Sequence, residues 1–185
     1  MYRIAAGTEE IVDKWTNNKT TLNQLLTSTK TEYKIDVPNT CRYFTTAAKR
    51  TLNRSGKMTI YCKTEDDFYL AYAFINSSLC YYWHRMCNGG ITYPITLLKE
   101  MPIFGSVTPE LKDYCNKLID KEEEYIVLKK NAGAFQENIK FPMQDRFKLT
   151  ELILNQINLH NNIALKKIHN NSCLTEDIDN IEDDD

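Results

Sequence analysis

The sequence contains no Cys-x-x-Cys pair, although six cysteines (Cys41, Cys62, Cys80, Cys87, Cys115 and Cys173) are spread along its 185 residues. That absence removes the paired-ligand spacing of structural zinc sites and the dithiol motif of redox proteins. The N-terminus lacks the apolar core of a secretory signal, so reduced thiols in a cytoplasmic protein are the simplest expectation. No stretch approaches the roughly 18 consecutive apolar residues of a membrane span. Also missing are a Gly-x-Gly-x-x-Gly or Walker phosphate loop, a Gly-x-Ser-x-Gly elbow and a His-Glu-x-x-His zinc motif. The acids gather at helix starts and in the tail, where dipole and solubility effects account for them. The chain by itself is therefore expected not to be an enzyme.

A further absence is local. Residues 37–64 hold no acid, yet they carry Arg42, Lys49, Arg50, Arg54, Lys57 and Lys63, interleaved with Tyr43, Phe44 and Tyr61. The formal charge of -2 conceals this, because seven acids (Glu176, Asp177, Asp179, Glu182, Asp183, Asp184 and Asp185) lie in the last ten residues. Taking them from the 25 acids leaves 18 against 23 basic residues, a body of about +5. A nucleic-acid surface needs such a mixture: cations for phosphates, Arg and Asn for base edges, rings for stacking. A solvated basic face on a small sheet is the plainer alternative.

What is present points to one α+β domain with appendages. An apolar content of 42% with 11% aromatics excludes a wholly disordered chain. Residues 1–32 read as a helical and linker segment, with Glu9 to Leu26 forming either one helix or two short ones, since Thr16 to Thr21 favours caps and turns. This opening lacks the strand-turn start of a complete domain, so a fragment of a longer protein is expected. Residues 33–107 read as the core. Strands are expected at Tyr33 to Val37, Cys41 to Thr46 and Met58 to Cys62, pairing as a small, mostly antiparallel sheet.

The sheet is expected to pack on an aromatic-rich helix that starts at Thr64, with Glu65, Asp66 and Asp67 in its first turn. Phe68, Ala71, Tyr72, Ile75, Leu79, Tyr82, Trp83 and Met86 follow a 3.6-residue period, and Asn88-Gly89-Gly90 ends it. His84, Arg85 and Asn88, near its C-terminus, are freer to face a ligand. Cys80, His84 and Cys87 share one face and could approach a zinc, with Cys41 or Cys62 as a fourth ligand. Small buried apolar thiols are the simpler reading. A Cys-His nucleophile lacks an orienting third residue.

Residues 108–170 read as a helical region. Thr108-Pro109-Glu110 gives a cap, a proline at the first helical position and an early acid, opening a helix that runs to about Lys130. A second helix, from about Gln144 towards Ile168, would complete an antiparallel pair. Residues 171–185 are the acidic tail, expected to be disordered.

Four runs taken in order carry a resemblance: Pro38-Asn39-Thr40-Cys41-Arg42-Tyr43-Phe44-Thr45, Ile75-Asn76-Ser77-Ser78-Leu79, Trp83-His84-Arg85 with Gly89-Gly90-Ile91, and Leu97-Leu98-Lys99-Glu100-Met101-Pro102-Ile103. Over about residues 33–130 the chain resembles the target-recognition domain that follows TaqI-like or Eco57I-like N6-adenine DNA methyltransferase domains, and type I specificity subunits. In that family an Asn-Ser segment on a helix precedes a glycine-bearing loop and a Pro-containing exit strand. The resemblance implies sequence-specific binding of double-stranded DNA, presenting an adenine to a methyltransferase domain of the same or a partner chain. The Asn/Asp-Pro-Pro-Tyr/Phe motif of the methyltransferase and a PD-(D/E)xK nuclease core are absent. This fragment would thus need no cofactor of its own, S-adenosylmethionine belonging to the parent enzyme. Arg42, Lys49, Arg50, Arg54 and Lys57 are the expected DNA contacts, with Thr92, Tyr93 and Lys99 as a second set. A protein-interaction module, or an RNA or single-strand binder, is the rival reading.

Overall fold

The computed structural model describes residues 3–41, 44–131, 133–159 and 164–168. Arg42, Tyr43, Cys173 and the acidic tail lie outside the described residues. The architecture is α+β, with helices predominating. Three short strands, β1 (Leu26–Thr27), β2 (Lys34–Pro38) and β3 (Lys57–Cys62), form an antiparallel sheet in the order β1-β3-β2. Its register sets Ile35 against Ile60 and Pro38 against Lys57. Two helices, α1 (Glu9–Thr16) and α2 (Leu22–Leu25), precede it, so the polar Thr-Asn run does divide the N-terminal segment. Among the described residues no helix is long and apolar enough to cross a membrane.

Of the expected second strand, Cys41 to Thr46, the described residues, Cys41 and 44–46, are not in a strand. Residues 44–47 are irregular, and the next residue, Ala48, forms an isolated bridge with Asp36. β2 is an edge strand of this sheet, and its second edge is met by Ala48 alone, while the backbone before Ala48 bonds side chains of the helices instead of a strand.

The central helix is two helices. Thr64 caps α3 (Glu65–Asn76) by accepting from the Asp67 amide at 3.1 Å. The chain then breaks at Ser77, which has extended backbone angles (φ -75, ψ 170), before α4 (Ser78–Cys87) begins. The Ser77 hydroxyl donates to the Phe74 carbonyl at 2.7 Å and accepts from the Leu79 amide at 3.2 Å, serving both helix ends at once. Thr150 Oγ1, from far along the chain, accepts from the Ser78 amide at 2.9 Å. Residues 68–76 are all buried, so α3 is packed on every side and presents no binding face. Ser77→Ala is expected to cost about 1 kcal/mol of stability, read from urea melts, because both end groups lose their partner.

The C-terminal region departs furthest from expectation. Thr108 caps α6 (Pro109–Asp120) as its sequence implies, but the helix stops ten residues short of Lys130. Ile126, Val127 and Leu128 instead lie in β4 (Ile126–Asn131), which pairs with β5 (Ala134–Ile139) in a separate hairpin. Gly133, at φ +85, turns the chain in a conformation that favours glycine. The second helix is α7 (Met143–Asn155), with residues 164–168 helical again after a turn. Helices α6 and α7 do pack on one another and on α3, but a β-ribbon separates them in sequence.

Candidate nucleic-acid interface

The acid-free stretch gains its structure from side chains elsewhere. Irregular backbone must still satisfy its polar groups, and here buried side chains do this residue by residue. Ala47 donates to Asn76 Oδ1 at 2.8 Å, and its carbonyl accepts from Asn76 Nδ2 at 3.1 Å. The Thr45 hydroxyl donates to the Ile75 carbonyl, and its own carbonyl accepts from the Arg146 guanidinium at 2.7 Å. The Lys49 and Arg50 amides donate to the two oxygens of Glu122 at 2.8 and 3.0 Å. Asp36 receives the Leu52 amide, and Glu137 the Asn53 amide. Three carboxylates from outside the acid-free segment thus accept from its backbone amides.

Those carboxylates change the standing of the expected contact residues. Lys57 Nζ donates to Asp36 Oδ2 at 2.7 Å and to the Leu52 carbonyl at 2.6 Å, which makes it the half-buried partner of a fully buried carboxylate. Burial alone would raise the Asp36 carboxyl, but bonds from Lys57, Thr59 and the Leu52 amide, with the charge of Lys34, hold it below its usual range. Burial holds the Glu122 carboxyl above its ordinary range despite the Arg50 and Lys49 amides and the Tyr72 hydroxyl. Arg54 bonds the Gly56 carbonyl, Thr40 Oγ1 and Asn138 Oδ1, and burial lowers its pKa. Arg50 is half-buried, Lys49 is exposed beside the Phe68 ring, and Arg42 lies outside the described residues.

The second set divides too. Thr92 is exposed and bridges Thr40, whereas Tyr93 is only 1% exposed and its hydroxyl meets the Cys80 carbonyl at 3.5 Å. Burial pushes that phenol well above its ordinary range, and its ring cannot reach a surface ligand. Lys99 ends a short helix, α5 (Ile95–Lys99), where an exit strand was expected, and it faces a different groove beside β1 and β3. Gly89, at φ +70, closes α4 by donating to the His84 carbonyl at 2.8 Å.

His84 is buried, against the expectation that it faces a ligand. Its ring lies 3.4 Å from Cys41 Sγ and tilts over Tyr93. Burial pushes the Cys41 thiol up to about 12 and lowers the His84 pKa, so burial disfavours the charged form of both. Among the described residues no group of three or more His, Cys, Asp or Glu side chains is placed to hold a metal.

One concave site gathers distant parts of the chain. A cleft of about 410 Å³ is lined by Asn39, Thr40 and Phe44, by Arg54 with Ser55 and Gly56, by Ile91 from the loop after α4, and by the ribbon. From the ribbon come Lys129, Lys130, Gln136 and Asn138. No described lining residue is a carboxylate. The site offers two lysines, an arginine, three amides and several hydroxyls around one ring. The ribbon's share went unread in the sequence because Lys129 and Lys130 fell at the end of an expected helix and Gln136 and Asn138 in the connection after it. No protein-family model matches the chain, and no curated protein or solved structure is significantly similar to it.

Proposed function

We propose that this chain binds double-stranded DNA as the target-recognition part of a restriction-modification N6-adenine methyltransferase. Methyl transfer and S-adenosylmethionine binding would reside in another domain or chain. The observation that carries the reading is the carboxylate-free cleft, in which the acid-poor segment, the loop after α4 and the ribbon converge on Arg54, Lys129 and Lys130. Such a lining suits a phosphate backbone flanked by base edges: cations displace condensed counterions, while Asn39 and Gln136 offer amide donors and acceptors. Arg54, fixed by its neighbours, would form a wall of the cleft, and the exposed lysines would supply the mobile charge.

The test is duplex binding by the full chain, followed by fluorescence anisotropy across salt concentrations. Lys129→Ala with Lys130→Ala is expected to lower the slope of log affinity against log salt by about 2, since each lost phosphate contact removes about 1. Both side chains are exposed, so the fold should survive. No duplex affinity at about 50 mM salt would sink the proposal. Preference for single-stranded DNA or RNA competitors would replace it with a single-strand reading.

A further inference from the structure

The ribbon is bound to the body along one strand and open along the other. Its inner strand, β5, is held to the turn before β3: the Glu137 amide donates to the Asn53 carbonyl at 3.0 Å, and Gln136 Oε1 accepts from the Ser55 amide at 3.0 Å. Its base is closed by Ile126 opposite buried Ile139 and by the Lys140 amide donating to the Tyr125 carbonyl. The outer strand, β4, is exposed throughout residues 127–130 and has no strand on its far side among the described residues.

The two ribbon faces differ. Cross-strand partners point the same way, so Leu128/Glu137 and Lys130/Phe135 share one face, and Val127/Asn138 and Lys129/Gln136 share the other. The second face turns its polar groups into the cleft. On the first, Leu128 is 59% and Phe135 63% exposed, diagonal neighbours forming one apolar patch beside Lys130. Glu137, the ribbon's acid, already accepts from the Asn53 amide. Glu123 and Glu124 are exposed as well, but they precede the ribbon at its base.

We infer that the β4–β5 ribbon enters the DNA major groove, with Lys129 and Lys130 on phosphates and Leu128 and Phe135 against thymine methyl groups. The inference rests on the duplex-binding proposal and adds a reading element to it. A two-stranded ribbon fits a major groove about 12 Å wide, and the thymine C5-methyl is the apolar feature that groove displays. Charge selects this occupant over a protein strand or helix. Paired lysines on the open edge oppose strand addition, and they continue the carboxylate-free cleft directly below.

The probe is a set of duplexes recovered by the full-length chain from a randomised 24-base-pair pool. Each is remade with deoxyuridine for thymine, a change that removes only the C5-methyl groups. The wild type is expected to bind the thymine form about fourfold more tightly for each methyl contacted. Leu128→Ala with Phe135→Ala should abolish that preference while leaving the salt slope unchanged, and Lys129→Ala with Lys130→Ala should lower the slope while keeping the preference. Equal binding of thymine and deoxyuridine duplexes by the wild type, with an ordinary salt slope, overturns the inference but leaves duplex binding standing. A preference that survives in the Leu128/Phe135 variant places methyl reading elsewhere and overturns it too. Absence of any duplex binding overturns both readings together.

Discussion

Replacing Asn76 by aspartate is expected to destabilise the protein by about 4 kcal/mol at neutral pH, although the two side chains are nearly the same size. Asn76 is buried on α3 and meets both backbone groups of buried Ala47, donating to its carbonyl and accepting from its amide. An aspartate can still accept. It can donate to the Ala47 carbonyl only as the neutral acid, so folding would require proton uptake by a group whose unfolded pKa is near 4. The sign follows directly. A folded pKa raised above the unfolded value makes the deficit shrink by about 1.4 kcal/mol per unit as pH falls, down to the unfolded pKa. Urea melts of the variant and wild type between pH 7 and 4 check this. A gap that stays constant over that range would mean that the Nδ2 bond to Ala47 carries no weight.

That clamp has a consequence for the cleft. Phe44 and Thr46 line it, and they are held there by the same short irregular run that Asn76, Thr45 and Arg146 fix to the helices. The Arg146 guanidinium lies 4.6 Å from the Phe44 ring centroid. The Asn-Ser pair at 76–77 therefore acts by position: Asn76 holds the cleft wall, and Ser77 bends the chain so that α3 and α4 can both bury their aromatics.

Local signals in the sequence were followed faithfully by the fold. Thr64 and Thr108 cap their helices, a strand forms at Lys34–Pro38 where Tyr33 to Val37 was expected, though buried along nearly its whole length, and Asn88-Gly89 ends α4. What failed to show was decided at long range. Nothing around Ser77 interrupts the apolar period; the break is stabilised by Thr150, over seventy residues away. Leu118, Tyr125, Ile126 and Leu128 fit a helical stripe, yet the stripe continues into a ribbon because β5 finds partners in the turn at Asn53 to Ser55. Candidate contacts were the hardest to read. Charge counting along a segment sees Lys57 but cannot see that Asp36 faces it across β2 and β3, or that Arg54 is bound by Asn138 from the ribbon. It likewise missed Lys129 and Lys130, which lie outside the acid-free run but share its cleft.

Asp36→Asn supplies the complementary case, with an expected loss of about 3 kcal/mol at neutral pH. The Asp36 carboxylate is fully buried and accepts from the Leu52 amide at 3.0 Å, Thr59 Oγ1 at 2.8 Å and Lys57 Nζ at 2.7 Å. An amide at this position replaces one acceptor with a donor and leaves the Lys57 ammonium without its counter-charge. Removing one member of a buried pair typically costs about 3–5 kcal/mol. The lower end applies because the Lys57 side chain keeps 21% of its exposure and its bond to the Leu52 carbonyl. Here the folded pKa is depressed below its usual value of 3.8, so the wild-type advantage is fully present above that value. It is lost only as pH falls through the lower folded pKa. The gap between Asp36→Asn and wild type should therefore stay flat from pH 7 to about 5 and close in stronger acid, whereas the Asn76→Asp gap closes across the range where this one is flat. Charge reversal at Lys57 would disturb the same pair, so any loss of DNA binding in such a variant reports on folding. The exposed lysines of the ribbon are the positions at which binding can be tested with the core intact.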